Sequence, residues 1–234
     1  MGRITVDGLL DLLFPPRCVL CSQPVVPLAA PAPRQPACPG CTADLPWLED
    51  PELRLPWPAG SPAAAPDPLV AWSALNYEYP ADRLVALAKF GRRLPVARAL
   101  GELLALRCPE LPAPPEAVVP VPLHWRREAW RGFNQAEEIA RALCAARGWL
   151  LRTDLCRRRR PTPAQSGLGA GARRVNLDEA FALRKGARLT GFRHVLVVDD
   201  VLTTGATGLA VAGLFRSAGV PDVRLWTVAR TPPP

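Results

Sequence analysis

From residue 69 onward, short apolar runs alternate along the chain with segments whose apolar residues recur every three or four positions. The short runs predict β-strands over 70–79, 117–123, 195–198 and 222–228. The segments between them predict amphipathic helices. Because strands that are separated by helices favour parallel pairing, the pattern predicts an α/β fold built on a parallel sheet.

Residues typical of helix ends support this interpretation. Asp82 predicts the N-cap of one helix, and Pro95 predicts the first turn of the next. Asn134 and Glu137 have the spacing of a capping box before a third helix. A fourth helix is predicted over about 206–218, directly after the third apolar run.

Four of the seven cysteines form two C-x-x-C pairs, Cys18 with Cys21 and Cys38 with Cys41, sixteen residues apart. This spacing is typical of a four-cysteine zinc site, in which each pair supplies two thiolates to one tetrahedral ion. The alternative is a pair of buried or redox-active motifs, although a redox motif needs only one pair. Four thiolates leave no ligand position open for water, so the zinc would be structural. Buried apolar positions are expected for the other three cysteines, Cys108, Cys144 and Cys156.

The pattern therefore divides the chain into three parts. We expect a leading helix and zinc module over 1–46, a Pro/Ala-rich linker over 47–68 and the α/β domain over 69–234. No apolar run reaches the roughly 18–20 residues that span a bilayer. Asp7 and Asp11 interrupt the apolar N-terminus, which argues against a signal peptide. These features predict a cytoplasmic protein without membrane insertion.

Charge is distributed unevenly between these parts. Residues 1–66 hold four arginines and six acidic residues, whereas the rest of the chain holds 25 basic and 15 acidic residues. An anionic partner is therefore expected to bind the C-terminal two thirds. Six arginines fall within 157–174, a Pro- and Gly-containing segment without core periodicity, which predicts a long mobile loop.

The stretch VLVVDDVLTTGAT at 195–207 combines an apolar run, two aspartates and a Thr-rich turn. The carboxyl end of a parallel strand lies at the sheet edge where open α/β folds bind ligands. Backbone N–H groups at the start of the next helix would bind a phosphate, and Gly205 would let the backbone approach it closely. Asp199 and Asp200 would accept hydrogen bonds from sugar hydroxyls of the same ligand. The stretch predicts a site for a ribose 5-phosphate unit, and neither nucleotide-binding glycine motif accompanies it.

This stretch also resembles the phosphoribosyl diphosphate (PRPP) binding motif of type I phosphoribosyltransferases. With VPVPLHWRREAWRGFNQAEEIA at 119–140 and the paired C-x-x-C motifs, the chain resembles the ComF family, known from DNA uptake in bacterial competence. The resemblance covers nearly the whole chain and is weakest over 47–68. It implies a Rossmann-like type I phosphoribosyltransferase core that carries an N-terminal zinc-ribbon-like module.

The resemblance further implies roles for individual residues. The ribose hydroxyls, with Mg²⁺ nearby, would be held by Asp199 and Asp200. The 5-phosphate would be bound by Thr203, Thr204, Gly205, Ala206 and Thr207. The diphosphate and its closing loop would involve Arg126, Arg127, Arg131, Gln165 and Arg173. The implied activity is phosphoribosyl transfer with release of pyrophosphate, or binding of PRPP without turnover; the acceptor is not identified.

Three further residues have both a structural and a functional interpretation. Lys89 is one of only two lysines beside 27 arginines, so its compact ammonium is a candidate diphosphate ligand. The alternative is a solvated lysine at a helix C-terminus. The structural interpretation is favoured for His194, at a strand start, and for His124, beside the expected diphosphate turn.

A second hypothesis is a single-stranded-DNA-binding adaptor that also contacts a competence helicase. HWRREAWRGF at 124–133 interleaves aromatic residues with arginines, and stacking combined with cations is how single strands are bound. Arg157 through Arg160 would add phosphate contacts. The same arginines could instead bind a diphosphate, and the two hypotheses are compatible.

Overall fold

The computed structural model describes residues 16–25, 35–58, 61, 67–159 and 180–232. The predicted N-terminal helix, Gln165 and Arg173 lie outside these residues. In chain order the described elements are α1 (Pro39–Ala43), β1 (Glu52–Leu55), β2 (Leu69–Asn76), α2 (Ala81–Lys89), α3 (Leu94–Arg107), β3 (Ala117–Pro120), α4 (Trp125–Arg131), α5 (Gln135–Arg147), β4 (Cys156–Arg158), β5 (Phe181–Leu183), β6 (His194–Leu202), α6 (Ala206–Ser217) and β7 (Asp222–Arg230).

A five-stranded sheet with the order β1-β2-β7-β6-β3 forms the centre of the structure. The pairs β2–β7, β7–β6 and β6–β3 are parallel, and β1 adds antiparallel to β2. The parallel α/β fold predicted from the sequence is confirmed. Because β6 lies inside the sheet between β7 and β3, the residues that follow it reach the carboxyl edge, where ligands bind in open α/β folds.

Two apolar layers cover the two faces of this sheet. Helices α2, α3 and α5 pack on one face, together with alternate residues of β6 such as Leu196 and Val198. Helix α6 and the β4–β5 hairpin pack on the other, with Val195 and Val197. This alternation follows from the two-residue period of a strand, and it assigns each β6 side chain to one face.

The helix ends agree with the sequence in most places. Asn134 caps α5 by accepting a hydrogen bond from Ala136 N (3.1 Å), and Pro95 lies in the first turn of α3. Asp82 does not cap α2, so that prediction is wrong: the N-cap is Pro80, two residues earlier, and the helix begins at Ala81. Asp82 lies in the first turn, where a carboxylate interacts favourably with the helix dipole.

Segments predicted to be irregular contain strands. Within the predicted linker 47–68, Glu52–Leu55 form the antiparallel edge strand β1. Within the predicted loop 157–174, the first two arginines belong to β4, which pairs antiparallel with β5. Both strands are short and lie at the edges of sheets, where proline-rich and charged sequences are tolerated.

The N-terminal cysteine region packs against the α/β core. Val19 and Leu20, from the first C-x-x-C segment, lie against the layer that contains α2, α3 and α5. Trp47 donates a hydrogen bond through Nε1 to Thr42 O (2.8 Å) and forms a bridge with Leu75 of β2. The second C-x-x-C segment is thereby tied to the central sheet. Among the described helices, none is long and apolar enough to cross a membrane.

Candidate functional site

A Thr-rich turn joins β6 to α6 at the carboxyl edge of the sheet. Thr203 and Thr204 are exposed, and α6 begins at Ala206, as predicted. Gly205 has φ +75°, and a Cβ at this position would lie 2.8 Å from Leu55 Cδ1, so both the backbone conformation and the space favour glycine. Within the described residues, no side chain of the N-cap satisfies the start of this 12-residue helix. Ala206 N donates a long hydrogen bond to Thr204 Oγ1 (3.5 Å), and the amides that follow it in the first turn of α6 are oriented towards an anion.

The two aspartates lie inside β6 and not after it. The sequence predicted that the strand ends at Val198, whereas the structure continues it to Leu202. Because successive side chains of a strand point to opposite faces, Asp199 and Asp200 diverge. The sequence analysis expected both aspartates to follow the strand and to face the same ligand. In the structure, Asp199 lines a cavity with the Thr-rich turn and Asp200 does not.

Asp199 lines that cavity together with Thr203, Gly205 and Thr207. Its Oδ1 accepts a hydrogen bond from Asp200 N (2.9 Å). Burial and the neighbouring Asp200 carboxylate raise the pKa of Asp199 to about 7, although the positive charges of Lys89 and Arg158 act in the opposite direction. Any hydrogen-bond donor or cation that enters the cavity would stabilise the ionised form of Asp199.

Asp200 is buried on the opposite face of the sheet. Its Oδ1 lies 3.0 Å from Lys89 Nζ, and its Oδ2 accepts a hydrogen bond from Gln135 Nε2 (2.9 Å). Gln135 in turn accepts a hydrogen bond from Arg131 Nη1. These four side chains join α2, α5, the end of α4 and β6 in one polar network. Gln135 was not found from the sequence, because a glutamine after a helix cap has no distinguishing pattern.

The turn after β3 leads into α4, as the family resemblance implied for the diphosphate loop. His124 is buried and caps α4: its Nδ1 accepts a hydrogen bond from Arg126 N (3.3 Å). Burial lowers the pKa of His124, and the charges of Arg126, Arg158 and Arg127 lower it further, so the ring is neutral. The structural interpretation of His124 is supported.

The three arginines predicted for the diphosphate have different environments. Arg126 and Arg127 are exposed on α4, and the Arg126 guanidinium lies 5.3 Å from the Trp125 ring centroid. Arg131 is 8% exposed, and its Nε has no hydrogen-bond partner among the described residues. Burial lowers the pKa of Arg131, which the charge of Asp200 opposes. Arg131 is therefore a desolvated cation beside the carboxyl edge.

The sequence placed Arg158 in a mobile segment and, with its neighbours, assigned it to phosphate contacts. In the structure it belongs to β4, and its charge acts on both His124 and Asp199. Its guanidinium lies 5.1 Å from the Phe181 ring centroid. The sequence alone does not bring Arg158 close to Asp199, because the two residues are 41 positions apart in the chain.

The four paired cysteines form one cluster near the N-terminal end of the described chain. The sulfur atoms of Cys18, Cys21, Cys38 and Cys41 all lie within 4.8 Å of one another. The Cys21 and Cys38 Sγ atoms are 3.7 Å apart. This agrees with the separation of about 3.8 Å between two sulfurs in a tetrahedral zinc site with Zn–S bonds of about 2.3 Å. The cluster fits a metal ion of the predicted kind.

The electrostatics of this cluster also favour a cation. Burial acts against ionisation of Cys18, but backbone N–H groups of Cys21, Cys38 and Leu20 lower its pKa to about 6. The side chains of Cys38 and Cys21 raise the pKa of Cys41 well above its usual range. A zinc ion would remove this repulsion between neighbouring thiolates. The other three cysteines are buried, as predicted.

Comparison with known proteins gives several related sequences. The chain is 35% identical to "Competence protein F" of Haemophilus influenzae over 66% of its own length and 70% of that protein. It is 37% identical to "DNA utilization protein YhgH" of Salmonella typhi over 68% of its length and 71% of that protein. It is 32% identical to "Competence protein ComFC" of Streptococcus pneumoniae over 48% of its length and 47% of that protein. No protein-family profile matches the chain.

The cysteine cluster predicts a measurable metal content. We expect about one zinc per chain in protein purified without chelator, measured by atomic emission, and a loss of zinc in Cys21→Ser. Thermal stability of Cys21→Ser should fall, since zinc binding contributes directly to folding. Cys108→Ser, outside the cluster, is the control and should retain the metal. Stoichiometric zinc in Cys21→Ser would contradict the four-cysteine assignment.

The raised pKa of Asp199 predicts a pH-dependent cost in stability. Between about pH 4 and pH 7 the unfolded carboxyl has lost a proton that the folded one retains, so the free energy of unfolding falls as the pH rises. Asp199→Asn in the ligand-free protein should therefore be more stable than wild type at about pH 8, by roughly 1–4 kcal/mol, and this gain should shrink towards pH 4. Chemical denaturation at several pH values measures it.

Asp222→Asn is the matched control for this substitution. Asp222 lies at the start of β7, and its carboxylate is 3.2 Å from Arg224 Nε. The control removes a paired carboxylate and should not gain stability at any pH. A pH-independent effect of Asp199→Asn would show that the Asp199 carboxyl is not desolvated.

Proposed function

The chain belongs to the ComF family, and on that premise we propose that it binds PRPP with Mg²⁺ as part of a role in competence and DNA uptake. The observation that carries the proposal is the open Thr-rich turn at the start of α6, with the Asp199 carboxylate in the same cavity. An anion site and a hydroxyl acceptor that line one cavity are the two features that a ribose 5-phosphate unit requires.

The 5-phosphate would bind at the turn. The amides that open α6, together with the hydroxyls of Thr203, Thr204 and Thr207, supply donors, and the positive end of the helix dipole favours a dianion. The exposed side chains of Thr203 and Thr204 leave the turn accessible from solvent. The left-handed Gly205 lets the backbone curve around the phosphate without a Cβ in the way.

The ribose would lie over Asp199. An ionised carboxylate accepts hydrogen bonds from two adjacent hydroxyls, which is stronger than acceptance by a neutral group. Ligand hydroxyls and Mg²⁺ would also lower the raised pKa of Asp199 and keep it ionised at neutral pH. Mg²⁺ prefers carboxylate and phosphate oxygens, and Asp199 offers such an oxygen.

Cations beyond the ribose would bind the diphosphate. Arg131, Arg158 and Lys89 act electrostatically on the aspartate pair from three different elements. A diphosphate is a highly charged leaving group, and fixed cations stabilise the charge that develops on it as the anomeric C–O bond breaks. Mg²⁺ bound with the substrate supplies further charge neutralisation.

Transfer of the phosphoribosyl group requires no nucleophile from the protein. The acceptor attacks the anomeric carbon, the C–O bond to the diphosphate breaks, and the electron pair leaves with pyrophosphate. The protein would hold the ribose at Asp199, hold the 5-phosphate at the turn and exclude water from the electron-deficient carbon. The neutral His124 is committed to capping α4, so it is not assigned a proton-transfer role.

Titration of PRPP with Mg²⁺ into the protein, followed by calorimetry, tests the proposal. Asp199→Asn should weaken binding by about tenfold or more, the loss expected for a hydrogen bond to a charged group. Asp222→Asn, a carboxylate removal at the opposite edge of the sheet, is the matched control and should bind like wild type. An unchanged isotherm in Asp199→Asn would refute the ribose assignment. Pyrophosphate release on addition of candidate bases would then distinguish a transferase from a non-catalytic binder.

Single-stranded DNA binding is a second candidate function, favoured by the outer face of α4. Trp125 and Trp130 are 64% and 61% exposed there, beside the exposed Arg126 and Arg127. Stacking on aromatic rings together with backbone contacts from arginines is the usual way in which single strands are bound. The names of the relatives, which refer to competence and DNA utilization, fit such a partner.

Anisotropy of a labelled oligothymidylate at several salt concentrations tests this candidate. Arg126→Ala/Arg127→Ala should lower affinity and reduce the slope of log K against log salt by about 1.4, or about 0.7 for each phosphate that is no longer neutralised. Arg54→Ala on β1, at the other edge of the sheet, is the control and should leave the slope unchanged. An unchanged slope in the α4 variant would exclude this face as the DNA-binding surface.

A further inference from the structure

A second cavity opens beside β3, the strand at one end of the sheet. It holds about 1030 Å³ of space that is continuous with solvent. Its lining comes from the end of β3, from α4 and α5, and from the β4–β5 hairpin. It shares no lining residue with the cavity of Asp199 and the Thr-rich turn. The proposed PRPP site therefore does not account for it.

The charged side chains of this second cavity are divided by sign between two parts of the fold. Glu128 belongs to α4 and Glu137 to α5, and these two carboxylates form the acidic side. Arg157 belongs to β4 and Arg184 follows β5, and these two guanidinium groups are on the basic side. Helix α5 and the β4–β5 hairpin pack on opposite faces of the central sheet. The sheet edge therefore separates the two signs of charge.

The opposite charges do not neutralise each other across the cavity. In the part of the chain that the structure describes, no ion pair joins Glu128 to Arg157 or Arg184. Glu137 is paired along its own helix, with its Oε1 2.6 Å from Arg141 Nη2. A ligand with one charge would be attracted by one side and repelled by the other. A ligand with charges of both signs would be attracted by both sides.

The buried polar side chains of the cavity are uncharged and add no preference for either sign. Asn134 Oδ1 accepts a hydrogen bond from Ala136 N, and its Nδ2 donates one to Val121 O (3.0 Å). Burial raises the pKa of Cys156 to about 12, so its thiol is neutral at physiological pH. The charge selectivity of the cavity therefore depends on the acidic and basic sides.

Apolar surface is also available in this cavity. Trp125 is 64% exposed, and Pro122 and Leu123 are half-buried. A ligand with an apolar stem would remove part of this surface from water, which is favourable in proportion to the area covered. An indole ring also attracts an ammonium group through its π-electrons.

We propose that the cavity beside β3 binds a small elongated zwitterion, with an ammonium group and a carboxylate at opposite ends of an apolar stem. The ammonium would lie at Glu128 and Glu137, and the carboxylate at Arg157 and Arg184. An elongated molecule is required because the two sides belong to layers on opposite faces of the sheet, and packed layers lie about 10 Å apart. This assignment does not depend on PRPP binding.

Three straight-chain probes with the same six-carbon stem test the proposal. 6-Aminohexanoate carries both charges, hexylamine only the ammonium and hexanoate only the carboxylate. NMR titration follows the indole N–H resonance of Trp125, which is assigned by its loss in Trp125→Phe. 6-Aminohexanoate should shift this resonance and bind about fivefold more tightly than either other probe, as expected for one added ion pair near the surface. No shift, or equal binding of a singly charged probe, would overturn the proposal.

Two variants test the division of charge. Glu128→Gln should weaken 6-aminohexanoate and hexylamine by about fivefold and should not weaken hexanoate. Arg184→Gln should weaken 6-aminohexanoate and hexanoate and should not weaken hexylamine. Both positions are exposed, so neither substitution removes core packing. Glu52→Gln, on β1 at the other end of the sheet, is the control and should bind all three probes like wild type. Equal weakening of all three probes in either test variant would contradict the two-sided assignment.

Inorganic pyrophosphate distinguishes a zwitterion site from a second anion site. The distinction is needed because Arg158 also lines this cavity, and its charge acts on Asp199. 6-Aminohexanoate should still shift the Trp125 resonance at saturating pyrophosphate. Displacement of 6-aminohexanoate by pyrophosphate would show that the basic side serves a phosphate ligand, and this would overturn the proposal.

Discussion

Two adjacent carboxylates inside a parallel strand of a buried sheet are the constraint around which the rest of the structure is arranged. An extended backbone sends Asp199 and Asp200 to opposite faces, so each must be compensated separately. On one face, Lys89 and Gln135 satisfy Asp200 fully. On the other, the Asp199 carboxylate accepts a hydrogen bond from the Asp200 amide, and burial raises its pKa to about 7. The sheet therefore has one carboxylate, Asp200, whose partners within the protein satisfy it, and another, Asp199, whose ionised form a bound ligand would stabilise.

This difference between the two carboxylates relates the position of β6 in the sheet to ligand binding. Under the proposed function, hydroxyls or a metal ion that enter the cavity would stabilise the poorly solvated Asp199 carboxylate, and this stabilisation would contribute to ligand affinity. The start of α6 has a similar character, since its N-cap, Gly205, has no side chain and Thr204 Oγ1 accepts only a long hydrogen bond from Ala206 N (3.5 Å). Under the proposed function, one phosphorylated sugar would stabilise both the Asp199 carboxylate and the start of α6.

The parts of the site that could be predicted from the sequence are those set by local patterns. An apolar run, the Thr-rich turn and the start of α6 lie within thirteen consecutive residues, and the Asn134 cap depends on a residue two positions away. The length of β6 could not be predicted, because hydrogen bonds to β7 extend it through the acidic residues against their low strand propensity. Gln135 and Arg158 act through interactions between elements, which depend on how the helices and the β4–β5 hairpin pack on the sheet. Edge strand β1 was missed because its pairing with β2, and not its Pro/Ala-rich surroundings, decides its conformation.

Helix α4 shows how a small ligand and a nucleic acid strand could be served by one short element. Its final residue, Arg131, turns inward, loses most of its hydration and joins the network around Asp200. Its earlier arginines, Arg126 and Arg127, are exposed to solvent near the exposed Trp125 and Trp130, where a polymer backbone can reach them. Under the proposed functions, desolvation would strengthen the interaction of Arg131 with a diphosphate, whereas salt would screen the contacts of Arg126 and Arg127 with a nucleic acid. Arg131 lies one helical turn after Arg127, so burial and not helix face distinguishes the inner arginine from the exposed ones.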